Sequence, residues 1–113
     1  MATRKLTYRA SSNLTVTALA GGIASSATWV AGWTSGTIDN TSDLDLDKLV
    51  SGKFTVESSG LAAGEIRVYV YDMLDDSTWP DIFSAGTEGT EGTATVHDAN
   101  TLSNSLRLLW IGT

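Results

Sequence analysis

Between Glu65 and Asp72 apolar and polar side chains alternate without a break, with Ile66, Val68 and Val70 on one side and Arg67, Tyr69 and Tyr71 on the other. A repeat of two belongs to an extended strand whose faces meet different surroundings. The same period returns along the chain. Leu14, Val16 and Ala18 alternate with Thr15 and Thr17, then Trp29, Ala31 and Trp33 with Thr28, Val30 and Gly32, then Leu44 and Leu46 with Asp43, Asp45 and Asp47. Lys53 to Glu57 directs Phe54 and Val56 to one side, Ala94 to Val96 is a short run, and Leu106, Leu108 and Trp110 interleave with Arg107, Leu109 and Ile111. Gly21-Gly22, Ser35-Gly36 and Ser51-Gly52 separate the runs as turns. Helical spacing is limited to a turn or two at Asp98 to Ser103 or Asp47 to Val50. The expected fold is all-β, an antiparallel β-sandwich or barrel, with the jelly roll among its forms. Its core is expected from Ile66, Val68, Val70, Leu106, Leu108, Phe54 and Val56, with Glu65 to Asp72 central and the last strand covered on both faces.

Composition supports one such domain. The chain has 113 residues, 42% of them hydrophobic and 18% charged, enough apolar surface for a core and too little charge for a disordered segment. Sixteen Thr and 13 Ser fill the polar positions, the first suiting strands and the second turns. Charge is divided unevenly. Before Asp39 there is no acid, only Arg4, Lys5 and Arg9, whereas the remainder carries four basic residues against 13 acidic ones, for a net charge of −6 overall. We therefore divide the chain into an N-terminal arm, residues 1–10, and a β-sandwich domain, residues 11–113. A basic arm and an acidic body are mutually attractive, so a ring of identical subunits, a trimer, would satisfy every arm at once. Net negative charge argues against nucleic acid and anionic membranes as partners. A secretory leader is not expected, because Leu14 to Ala18 alternates, and no run approaches the roughly 18 apolar residues of a membrane span.

Catalytic chemistry finds little to use. There is no Cys and a single His, His97, which excludes a cysteine nucleophile and leaves a zinc site dependent on carboxylates. Asp43, Asp45 and Asp47 imitate the opening of a calcium loop, but Lys48 stands where that loop needs Gly and Phe54 where it needs Glu. An acidic strand face is the better reading. Asp72, Asp75, Asp76 and Asp81 are read as turn formers rather than a glycosidase pair, and Trp29 and Trp33 as core rather than a sugar platform. No phosphate loop, nucleophile elbow or dinucleotide fingerprint is present, and neither an enzyme nor a cofactor or metal is expected. Met73 to Phe83 is an acidic and aromatic loop holding the only proline, and Trp79 is its expected exposed aromatic. The Gly-Thr-Glu repeats from Gly86 to Thr93 are expected as a mobile hairpin tip. Candidate contacts are Arg4, Lys5 and Arg9 on the arm, and Trp79, Pro80, Asp81 and Phe83 on the loop. A glycan-binding module of a tail or fibre is the alternative reading.

The run Leu19 to Trp33, then Ile38-Asp39-Asn40-Thr41-Ser42, Leu46 to Lys53, Ile66-Arg67-Val68-Tyr69-Val70-Tyr71 and Trp79-Pro80-Asp81, resembles in order and spacing a family of small structural proteins of tailed bacteriophages. The resemblance covers roughly Leu14 to Thr90. It implies a virion component, and for a small β-sandwich protein a capsid decoration, or cement, role on the shell surface, bound to the major capsid protein or another virion protein. Family members continue with further strands where this chain ends on Leu108 to Thr113. The expectation is a shortened form or a sheet completed by a neighbouring chain.

Overall fold

A computed structural model describes Ile23 and residues 26–41, 50–54 and 64–112. The arm with Arg4, Lys5 and Arg9, the expected strand at Leu14 to Ala18, the acidic face of Asp43, Asp45 and Asp47, and Val56 lie outside the described residues. Among those described, antiparallel strands predominate and one short helix is present, as an all-β chain requires. The elements are β1 (Ala31–Thr34), β2 (Ile66–Val70), β3 (Phe83–Ala85), β4 (Gly92–Val96), α1 (Ala99–Asn104) and β5 (Arg107–Gly112). They form a three-stranded sheet in the order β1-β4-β3 and a two-stranded sheet of β2 and β5.

The three-stranded sheet holds the buried core. Along β4, Ala94 and Val96 are buried while Thr93 is exposed, the period-two signature of a half-covered strand. They are joined by Thr34 at the end of β1 and by Ile82, which is fully buried just before β3. β3 and β4 form the hairpin expected from the Gly-Thr-Glu repeats. Gly86, at φ 99°, starts the connection, where a methyl group would press on Thr93 and Ala94.

The helix falls where its spacing predicts. Asp98 caps it, its Oδ1 accepting from the Thr101 backbone N–H at 2.8 Å. That bond holds the Asp98 carboxyl below its ordinary pKa. α1 touches both β4 and β5 and so links the two sheets.

Two expectations need correction. Trp29 is not in a strand with Trp33: it sits in a turn at φ 64°, with its N–H donating to the Ser26 carbonyl at 3.3 Å, so the two rings do not share a face. Alternation alone cannot distinguish a strand from a turn at its edge. Second, β5 is not covered on both sides: Leu108, Leu109, Trp110 and Ile111 are all exposed, as is Phe54, which stacks on Trp110 at 5.5 Å.

A bulge separates two of the expected core residues. Val68 pairs with Trp110 and Tyr69 with Leu108, leaving Leu109 as the extra residue. Cross-strand partners share a face, so Trp110 joins Ile66, Val68 and Val70 while Leu108 joins Arg67 and Tyr69. Strict alternation in the sequence would have put Leu108 and Trp110 together.

Candidate functional site

The loop picked out as a contact surface divides into two parts. Residues 72–78 are exposed throughout, whereas Trp79 and Pro80 are half-buried and Ile82 is buried. The exposed part is built firmly. The Leu74 N–H donates to the Thr78 carbonyl at 2.8 Å, and Asp75 Oδ1 accepts from the backbone of Ser77 at 2.8 Å and of Thr78 at 2.7 Å. Those bonds, Ser77 first, hold the Asp75 carboxyl below its ordinary pKa. Asp75 is thus the turn former that its position suggests.

Tyr71 organises the second part. Its ring meets Trp79 and Phe83 edge to face, each at 5.5 Å, and its hydroxyl lies 2.9 Å from Thr34 Oγ1 while accepting from the Gly89 N–H at 3.1 Å. Trp79, expected to be exposed, is therefore packed under its own loop. The repeat segment takes part as well. Glu88 Oε1 accepts from the backbone N–H of Ile82 at 3.0 Å and of Phe83 at 2.8 Å, and Thr37 Oγ1 donates to the Gly89 carbonyl at 3.4 Å. Gly89 sits at φ 72°, and a methyl group there would lie 2.6 Å from the Trp79 ring. The expected mobile tip is tied to the loop beside it. Low complexity concealed this, because one carboxylate in a glycine-rich run suffices to satisfy two backbone donors.

Of the predicted contact residues, Trp79, Pro80 and Phe83 come together half-buried, and Asp81 is exposed with its Oδ1 3.1 Å from His97 Nε2. Tyr71 and Glu88 were missed. Tyr71 reads in the sequence as one more residue on the polar face of β2. Among the described residues no group of three or more His, Asp and Glu side chains is placed to hold a metal ion, and no helix is long and apolar enough to cross a membrane.

Glu88 makes the tether sensitive to acid. Burial raises its pKa, but the N–H groups of Phe83 and Ile82 outweigh that and the nearby charge of Asp81, leaving it below the ordinary value. A carboxyl depressed in the folded state stabilises above its unfolded pKa, and that contribution is lost as pH falls through the folded value. Melting temperature is therefore expected to drop as pH is taken from about 5 to below about 4. Glu88→Gln should be less stable by about 1 kcal/mol at pH 7 and show a flatter acid dependence. Parallel melting curves for the two proteins from pH 7 to 3 would contradict the assignment.

A second concave surface lies across the bulged face of β2. A groove of about 450 Å³ runs between the turn at Thr28 and Trp29, β2, α1 and the start of β5. Arg67 lies over the Trp29 ring, 4.1 Å from its centroid, and its Nε donates to Glu65. The last apolar surface is β5 itself with Phe54. No protein family, curated protein or solved structure matches the chain.

Proposed function

We propose that this chain is a structural protein of a tailed-phage virion, a decoration or cement protein that sits on the capsid surface and stabilises the shell as a homo-oligomer. In this reading its two sheets are the halves of a β-sandwich, its partners are the major capsid protein or another virion protein and further copies of itself, and it catalyses nothing.

The observation that carries the reading is β5. Leu108, Leu109, Trp110 and Ile111 are between 43% and 50% exposed, and Phe54 beside them 48%. Four consecutive large apolar residues open to solvent are costly for a free protein and suit one that buries them against a partner. The sequence resemblance to phage structural proteins supplies the partner class, and the net charge of −6 disfavours nucleic acid.

Binding to purified shells tests the proposal. Leu109→Lys with Trp110→Lys should fold, since both side chains are exposed, and should lower shell occupancy by more than about tenfold, as loss of an interface anchor does. Full occupancy by the variant would place the contact elsewhere. Failure of the parent to bind any shell would overturn the reading.

A further inference from the structure

We propose that the groove beside Trp29 and Arg67 receives the 72–78 loop of a second copy of this chain, with Leu74 as the inserted side chain, so that copies join head to tail into a ring. The inference rests on the assembly reading above and specifies its subunit contact.

The groove is both apolar and basic. Leu102 and Leu106 line it with Trp29 and Tyr69, and Arg67 brings a guanidinium to it, whereas Arg107, which also borders it, pairs with Val70 and so carries its side chain on the opposite face. None of its lining residues is an acid, in a chain that carries 13 acids against seven basic residues. Arg67 is held in place by the Trp29 ring and by Glu65, which engages only its Nε. Trp29 keeps its place at φ 64°, a backbone conformation that a bulky side chain rarely adopts and that surrounding contacts must hold. Such a site favours an apolar side chain flanked by carboxylates.

The chain presents that combination itself. Leu74 is 71% exposed, the most open of the large apolar side chains described. Asp72 precedes it and Asp76 follows it, both exposed. The internal bonds of Asp75 and of the Leu74 N–H keep the loop in shape, so little ordering entropy is lost on docking. Loop and groove are different surfaces of one chain. The contact is therefore heterologous, and if the rotation closes it generates a ring.

Sedimentation velocity of the full chain without shells tests this. The parent should form a closed oligomer, and Leu74→Ser or Arg67→Glu should each weaken self-association at least about tenfold while keeping the parent circular dichroism spectrum. Should Arg67→Glu fail to fold, Ser103→Tyr blocks the groove instead. An equal mixture of the loop variant and the groove variant retains one intact contact per pair, and so should give a dimer and nothing larger. Asp76→Lys combined with Arg67→Glu should recover part of the association. A monomeric parent, variants that assemble like the parent, or a mixture that regains the full oligomer would each overturn the inference. A monomer that still binds shells would remove the ring and leave the decoration role, whereas rings that bind no shell would do the reverse.

Discussion

Ile82→Asp is expected to unfold the three-stranded sheet. Ile82 is the one large side chain with no exposure among those described, and its backbone is bonded on both sides, its N–H to Glu88 and its carbonyl from the His97 N–H at 3.1 Å. A carboxylate there has no room to move to solvent without breaking those bonds. Burial of an unpaired charge costs several kcal/mol, comparable with the roughly 5–15 kcal/mol by which a domain of this size is stable. Ile82→Val is the control and should cost only about 0.5–1.5 kcal/mol. Circular dichroism melts of the three proteins decide the matter. A cooperative melt of Ile82→Asp within a few degrees of the parent would mean that the core lies elsewhere.

That Ile82 should lead this ranking was not legible in the sequence, whereas much else was. Period-two runs located β2, β4 and β5, and Asp98 to Ser103 was one of two stretches with helical spacing, because these signals are local: each depends on a few neighbouring residues. Ile82 lies between Asp81 and Phe83 in a loop, with no periodic run around it, and its backbone is bonded by Glu88 and His97 rather than by its neighbours in sequence. The bulge at Val68 and Tyr69 is likewise a property of pairing. Nothing in Leu106 to Ile111 alone indicates that its register slips by one against β2, and that slip separates Leu108 from Trp110. The groove depends on the same event, since Leu108 and Tyr69 share its face only because of the bulge. Of the two contact surfaces legible in the sequence, the arm lies outside the described residues. In the loop, the acidic and aromatic character was visible but not its division, aromatic side chains packing inward while Leu74 faces solvent.

Trp79→Ala is expected to melt well below the parent, which separates folding from binding in this loop. The ring is half-buried, meets Tyr71 at 65° between planes, and lies directly over Gly89. Truncating a buried tryptophan costs about 3–5 kcal/mol, and partial exposure brings that to about 2–3 kcal/mol. For a chain of this length that corresponds to a fall in melting temperature of about 10–15 °C. Gly89→Ala should act in the same direction by another route, since it forces a side chain into a left-handed backbone conformation and against the same ring. Because Trp79 and Gly89 occupy one contact, the double variant should cost less than the sum of the single ones. A Trp79→Ala protein that melts with the parent would show the ring to be dispensable for packing and return it to the surface as a binding anchor. The expected result removes Trp79 from the binding question. Any shell occupancy that Trp79→Ala loses must then be measured at temperatures where it is fully folded, and compared with Leu74→Ser, whose side chain is 71% exposed. Loss with Leu74→Ser but not with folded Trp79→Ala would assign the loop's contact to its acidic, exposed half.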